Sequence, residues 1–83
     1  MNKIVLNKIY RHFKGDYYIL LDVAYDCETL KEYVIYRALY GDNKLWIRLK
    51  EDFLSKVDKN KYPDVLQKYK FELQKVSSVR DKM

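Results

Sequence analysis

Two long runs of β-branched and aromatic residues constrain the fold of this 83-residue chain more than any other feature. The first extends from Tyr17 to Tyr25 and the second from Glu32 to Tyr40. Such residues favour extended strands. The polar stretch Asp26 to Thr29 between the runs favours a turn, with a helical turn begun by the capping pattern Thr29 to Glu32 as the alternative. The sequence therefore predicts a long antiparallel hairpin.

Alternation within the two runs predicts which side chains face the core. In the first run one face is wholly apolar, and we expect it to be buried: Tyr17, Ile19, Leu21 and Val23. In the second run both faces are partly apolar, with Val34, Tyr36, Ala38 and Tyr40 on one and Tyr33, Ile35, Arg37 and Leu39 on the other. Two partly apolar faces are typical of barrel strands.

Shorter strands are predicted on both sides of the hairpin. Ile9 to His12 reads as a strand that ends in the turn Lys14 to Asp16, where glycine supplies a positive φ. After a tight connection, Leu45 to Arg48 forms a short strand with Trp46 and Arg48 on one face. The pattern thus predicts successive antiparallel strands in sequence order.

Beyond Lys50 the periodicity changes. Glu51 to Leu54 suggests a helical turn, and Pro63 with Asp64 is expected to open a helix. The apolar stripe of that helix has helical spacing: Tyr62, Val65, Leu66 and Tyr69. From Tyr69 to Val76 a helix and a strand fit the pattern equally well. The polar residues 77–83 are expected to be frayed.

Length and composition limit the classes of protein. The chain suffices for one hydrophobic core, so we expect a single domain spanning residues 1–83. Cys27 is the only cysteine and His12 the only histidine, which argues against a disulfide, a metal site or a cofactor. The first residues lack a signal-peptide pattern and no apolar run could span a membrane, so we expect a cytoplasmic protein. The net charge of +5 favours anionic partners.

An ordered set of residues resembles the small bacterial and phage family known as domain of unknown function 1653. The resemblance runs from about Tyr10 to Leu73. The residues that carry it are Tyr10-Arg11-His12-Phe13-Lys14-Gly15, Tyr18, Glu28-Thr29, Val34-x-Tyr36-x-Ala38-Leu39-Tyr40-Gly41, Leu45-Trp46-x-Arg48 and Phe53. It implies a mainly β, SH3-like antiparallel barrel of about five strands with a short helix near the C-terminus. The family-like core would span about 9–75, with 69–75 as the closing strand, and the resemblance implies no activity.

The inventory of reactive groups predicts that the chain is not an enzyme. Hydrolases and transferases need an activated nucleophile, a carboxylate pair or a metal. His12 has no second histidine or paired serine in the pattern, so packing or a backbone hydrogen bond is its expected role. Asp26 and Glu28 flank Cys27 and disfavour its thiolate.

The sequence contains more residues suited to ligand binding than to catalysis. Arginine and lysine bind phosphate, and aromatic rings stack on bases. We expect such a ligand to contact Arg11, His12, Lys14, Tyr36, Arg37, Tyr40, Trp46 and Arg48. The alternative for each is structural, with the rings in the core and the arginines at its edges.

Two functions follow as hypotheses. In the first, the chain binds an anionic, phosphate-bearing ligand, a nucleotide or nucleic acid, as a phage-type protein that sequesters a host signalling nucleotide would. In the second, it is an SH3-like interaction module or inhibitor that binds a host protein or peptide. Neither requires a membrane. Self-association through an uncovered sheet edge or the apolar stripe of the C-terminal helix stays open.

Overall fold

The computed structural model describes residues 2–75, which form one antiparallel sheet and one short helix. The elements are β1 (Lys8–His12), β2 (Tyr17–Tyr25), β3 (Glu32–Ala38), β4 (Leu45–Leu49), α1 (Lys50–Phe53) and β5 (Phe71–Leu73). The five strands lie in the order β4-β3-β2-β1-β5. The prediction of a mainly β chain with consecutive antiparallel strands is confirmed. Within residues 2–75, no helix combines the length and the apolar character needed to cross a membrane.

Both predicted turns of the first half are present. Gly15 has φ 114°, a conformation that side chains with a Cβ rarely adopt. In the next turn, Oδ1 of Asp26 accepts the backbone N–H groups of Glu28 at 2.8 Å and Thr29 at 3.0 Å. These side-chain bonds close a turn and leave no helix between β2 and β3.

A β-bulge in β2 changes which of its faces is buried. Pairing with β3 passes from Leu20 opposite Tyr36 to Asp22 opposite Ile35, which leaves Leu21 as the extra residue. One inserted residue moves all following side chains to the other face. The predicted core face was therefore wrong before the bulge and right after it. The side chains of β2 that pack in the core are Tyr18, Leu20 and Val23.

The core lies on one face of the sheet. Its buried members are Tyr10, Leu20, Val34, Tyr36, Phe53 and Phe71. Helix α1 supplies Phe53, whose ring stacks on Phe71 with centroids 4.3 Å apart. The hydroxyl of Tyr10 donates to the carbonyl of Lys3 at 2.8 Å and accepts the N–H of Val5 at 2.9 Å. Four of the six buried members are therefore aromatic, and the polar end of Tyr10 is satisfied by hydrogen bonds.

The sheet is open, so the expected SH3-like closed barrel is not confirmed. Strands β4 and β5 are its two edges and do not pair with each other in the part of the chain that the structure describes. Residues 54–70 cross between these edges, and within this segment Lys56 and Tyr69 form an isolated antiparallel bridge. Because β5 has only three residues, it extends the sheet beside β1 without closing it.

The helix predicted from Pro63 was wrong. Residues 62–69 form turns and loop, and Leu66, which was to lie on an apolar stripe, is 100% exposed. Bonds from side chains to the backbone hold this loop instead. Oδ1 of Asp58 accepts the N–H of Asn60 at 3.0 Å, and Nε2 of Gln67 donates to the carbonyl of Arg11 at 2.8 Å.

Two further expectations concern the ends of that region. The helical turn suggested at Glu51 to Leu54 is confirmed as α1 (Lys50–Phe53). The strand alternative after Tyr69 is confirmed as β5 (Phe71–Leu73). The expected fraying of 77–83 lies outside the described residues.

Candidate functional site

An open cleft of about 370 Å³ lies between the β1–β2 turn, the end of β4 and the loop before β5. We call it the cationic cleft, and its lining residues are His12, Phe13, Lys14, Arg48, Asp58, Lys61, Tyr62 and Lys70. Four of these side chains are cationic and one is anionic. Clefts of roughly 300–1,000 Å³ are the usual size of small-molecule sites.

One carboxylate organises two of the cations. Oδ1 of Asp52, in α1, accepts a hydrogen bond from Nζ of Lys70 at 2.6 Å, and its Oδ2 accepts one from Nη1 of Arg48 at 2.5 Å. Nε of Arg48 also donates to the hydroxyl of Tyr36 at 3.1 Å. Burial alone would raise the pKa of Asp52, but the bonds from Lys70 and Arg48 outweigh it and hold that pKa below its ordinary value.

The pKa of His12 reflects both its burial in the cleft and the cations around it. Burial, followed by the charges of Arg48 and Lys14, lowers the pKa of His12 to about 4. The backbone N–H of Lys14 donates to Nδ1 of the ring at 3.2 Å, so the neutral ring carries its proton on Nε2. At neutral pH the residue is therefore an uncharged hydrogen-bond donor among cations.

Two aromatic rings form one wall of the cleft. The rings of Phe13 and Tyr62 meet edge to face, with centroids 4.9 Å apart. Nζ of Lys14 lies 5.9 Å from the Phe13 centroid and 5.7 Å from the Tyr62 centroid. Nζ of Lys61 lies 5.6 Å from the Tyr62 centroid. Cations and ring faces thus occur together in one small volume.

The structure brings some of the sequence-predicted ligand residues together. His12, Lys14 and Arg48 line the cationic cleft. Tyr36 lies beneath it in the core, so its ring is not available for stacking. Trp46 lies opposite Tyr36 on the neighbouring strand and is half exposed.

Other predicted residues lie apart from the cleft. Arg11 and Arg37 alternate with buried neighbours and so point to the opposite face of the sheet. There Nη1 of Arg11 donates to Oε1 of Gln67 at 2.8 Å, and Nη1 of Arg37 donates to the carbonyl of Asn43 at 2.9 Å. The hydroxyl of Tyr40 lies 2.6 Å from that of Tyr18. The predicted set is therefore not one site.

Sequence reasoning missed five of the eight residues that line the cleft: Phe13, Asp58, Lys61, Tyr62 and Lys70. Phe13 directly follows His12, and its place beside two predicted ligands was the available signal. Tyr62 was assigned to the stripe of a helix that does not form. Lys61 and Lys70 reach the cleft because of the course of the loop before β5, and the local sequence pattern does not predict that course.

Other clefts have a different character. One of about 380 Å³ is lined by Lys31 and Lys50 together with Glu32 and Glu51, so its charges balance. One of about 540 Å³ along β1 and β5 contains lysines but no aromatic ring. Among residues 2–75 no three His, Cys, Asp or Glu side chains come together as a metal site would require. The cationic cleft alone of these combines excess positive charge with rings.

Comparisons with known proteins address the family. No curated protein matches the chain. The crystal structure of a protein belonging to DUF1653 from Bordetella bronchiseptica is similar, with a TM-score of 0.67 and 27% sequence identity over 89% of this chain and 94% of that chain. The profile of the family described as "Protein of unknown function (DUF1653)" matches residues 8–73. The sequence resemblance is thereby confirmed, and the chain belongs to the DUF1653 family.

Proposed function

We propose that this protein is a small binding module that takes a phosphate-bearing anion, a nucleotide or a stretch of nucleic acid, in the cationic cleft. The observation that carries the proposal is the convergence of Lys14, Arg48, Lys61 and Lys70 on one open cleft. Phosphate oxygens are strong acceptors for such donors. The proposed function contains no chemical step and needs no cofactor, and the proposed compartment is the cytoplasm.

The balance of charge favours an anion even after internal pairing. Asp52 neutralises part of the charge of Arg48 and Lys70, and Asp58 lines the cleft. Lys14 and Lys61 take part in none of the salt bridges among residues 2–75. Four cations thus face two carboxylates, and the surplus lies on the solvent side where a ligand would enter.

Arg48 and His12 supply oriented donors for a phosphate group. Arg48 uses Nε and Nη1 for Tyr36 and Asp52, while its Nη2 makes no hydrogen bond within residues 2–75. His12 presents Nε2–H from an uncharged ring. Because the guanidinium is already held at two points, it would lose little freedom on gripping a phosphate oxygen.

The aromatic wall supports a base-bearing ligand over inorganic phosphate. Stacking on an aromatic ring contributes about 1–3 kcal/mol per base in single-strand binders. Phe13 and Tyr62 are both half-buried, which holds the rings in place for such a contact. A nucleotide would set its base on this wall and its phosphates toward Arg48 and Lys70.

Calorimetric titration at several salt concentrations tests the proposal. We expect ATP or a short oligonucleotide to bind more tightly than inorganic phosphate, and affinity to fall steeply as salt rises. The double variant Lys14→Gln/Lys61→Gln should weaken binding at least about tenfold, as two charge-assisted contacts are lost. Lys31→Gln is the matched control, because it removes a charge from the turn at the far end of β2. A response that is flat with salt would contradict the proposal.

Protein binding is the second candidate, and one observation favours it. Tyr40 and Trp46 are 42% and 45% exposed, which offers rings to a peptide near the β3–β4 connection. Affinity for such a partner should change little with salt. A sequestering role belongs to the first candidate and requires that a bound nucleotide be recovered unchanged after incubation.

A further inference from the structure

Strand β4 exposes one complete backbone edge. The N–H of Ala38 donates to the carbonyl of Lys44 at 2.9 Å, and the same register continues with Tyr36 opposite Trp46. Because bonded and non-bonded pairs alternate in an antiparallel ladder, the polar groups of Lys44, Trp46 and Arg48 face β3. The backbone groups of Leu45, Ile47 and Leu49 therefore point away from the sheet.

This edge is uncovered, whereas the other edge is not. Leu45 is 53% and Ile47 65% exposed, and no strand within residues 2–75 pairs with the outer side of β4. At the opposite edge, β5 has three residues and the carbonyl of Phe71 accepts Nδ2 of Asn2 at 3.0 Å. A hydrophobic, unpaired edge is a template for another strand.

We propose that a second copy of the same strand occupies this edge, antiparallel and related by a twofold axis through Ile47. The segment from Lys44 to Lys50 reads KLWIRLK and is nearly symmetric about its central residue. The resulting cross-strand pairs are Ile47 with Ile47, Leu45 with Leu49, and Trp46 with Arg48. The first two pairs use the backbone groups that point outward, so the two open sheets join as one.

The neighbouring registers are worse. A twofold axis at Arg48 would place two arginines directly opposite each other, and an axis at Trp46 would place Lys44 opposite Arg48. The axis at Ile47 also sets Lys44 opposite Lys50. However, Lys50 bonds Glu32 at 3.1 Å and begins α1, where the chain leaves the sheet. All three registers pair apolar residues on the outer face, but only the axis at Ile47 keeps Arg48 away from another cation.

The pairing adds a residue to the cationic cleft. Trp46 and Arg48 lie on the inner face of β4, so each copy would place its tryptophan ring beside the other copy's Arg48. Arg48 lines the cleft. The second copy would thus supply an aromatic ring next to the cation, and the half-exposed Trp46 would become covered.

Sedimentation and tryptophan fluorescence across a concentration series test the proposal. We expect the apparent mass to double as concentration rises, with a blue shift of the emission of Trp46, the only tryptophan. Ile47→Lys and Ile47→Glu should each raise the dimer Kd at least about tenfold, because like charges would meet at the axis. An equimolar mixture of the two variants should dimerise again. Leu66→Lys is the matched control, as Leu66 is fully exposed in the loop.

Ile47→Pro provides a second variant that is independent of charge. It removes only an N–H that faces away from β3, so the strand is retained while the intermolecular bond is lost. Circular dichroism and thermal melting verify that the variants fold. A wild type that stays monomeric at millimolar concentration would overturn the proposal, and so would a dimer unaffected by Ile47→Lys. The proposal would also be overturned if the protein were monomeric and the emission of Trp46 were blue-shifted at every concentration. In that case another segment of the same chain would cover the edge.

Discussion

The guanidinium carbon of Arg48 lies 5.2 Å from the centre of the Phe71 ring, although the two residues belong to opposite edges of the sheet. Curvature of the sheet around the stacked rings of Phe53 and Phe71 brings these edges near each other. Side chains therefore make the contact that backbone pairing would make in a closed barrel. The cationic cleft occupies this gap, which explains why Arg48 of β4 and Lys70, just before β5, both line it.

Replacing Asp52 should lower the stability of the protein and raise its affinity for the ligand. Asp52→Asn weakens the bonds to Arg48 and Lys70, and because these groups are about one-third exposed we expect a loss of about 1–2 kcal/mol in urea unfolding. Affinity for ATP should rise, because removing a negative charge beside the phosphate outweighs the loss of one of the two anchors of Arg48. Asp42→Asn, at an exposed turn position, should change neither quantity. Reduced affinity in Asp52→Asn would contradict the assignment of the cleft.

Asp52 should also make the free energy of unfolding depend on pH in the acidic range. The pKa of Asp52 in the folded state is lower than its ordinary value, so its contribution is present above about pH 4 and is lost as pH falls through the folded pKa. Wild type should therefore lose more stability than Asp52→Asn between about pH 4 and pH 2. Urea unfolding at a series of pH values measures the difference, and parallel curves for the two proteins would contradict it.

His12 should make the protein less stable in mild acid. Its pKa is about 4 in the folded state against an ordinary value of about 6.5, so the neutral form is favoured by folding. This contribution is complete above about pH 6.5 and is lost as pH falls toward 4. Since the ring is only half-buried, we expect an effect on the order of 1 kcal/mol. His12→Gln should flatten the dependence between pH 7 and about 5, where carboxylates titrate little.

Nuclear magnetic resonance measures the pKa of His12 directly. The ring protons of His12, the only histidine, should titrate near pH 4. A midpoint near the ordinary value of about 6.5 would mean that neither burial nor the neighbouring cations act on the ring as described.

We expect truncation of the buried Phe53 to destabilise the protein far more than truncation of an exposed residue. Phe53→Ala leaves a cavity beneath Phe71 and should lower the free energy of unfolding by about 3–5 kcal/mol, a large share of the total for a small domain. Phe53→Leu should lose less, because it removes less volume. Leu66→Ala, at a fully exposed position, should remain within about 0.5 kcal/mol of wild type. Equal losses at the two positions would show that α1 does not close the core.

The hydroxyl pair of Tyr18 and Tyr40 should be visible in alkaline titration. Burial first, and then the hydrogen bond to Tyr40, raises the pKa of Tyr18 well above its ordinary value. Tyr40→Phe removes the second cause, so the pKa of Tyr18 should move toward about 10 but not reach it. Stability should fall by about 0.5–1 kcal/mol for one lost hydrogen bond. Tyr25→Phe, at an exposed position in β2, is the control in ultraviolet difference spectra.

Local pattern predicted the strands because each of them is encoded within a few neighbouring residues. The runs that became β1 to β4 have the right composition, and their turns depend on residues such as Gly15 and Asp26. The bulge at Leu21 has no such signature, since it is defined only by the opposing strand. Likewise, the spacing from Tyr62 to Tyr69 suited a helix, but a bond from Gln67 to the distant Arg11 holds this segment as a loop.

By itself, the sequence determined the fold class, the order of the first four strands and three members of the candidate site: His12, Lys14 and Arg48. Tertiary structure decided that the sheet stays open, that Arg11 and Arg37 face away, and that Phe13, Asp58, Lys61, Tyr62 and Lys70 complete the cleft. Strand propensity and turn chemistry act between residues close in the chain. A cleft is assembled from distant segments, and their meeting depends on core packing and on loop bonds such as that of Gln67 to Arg11.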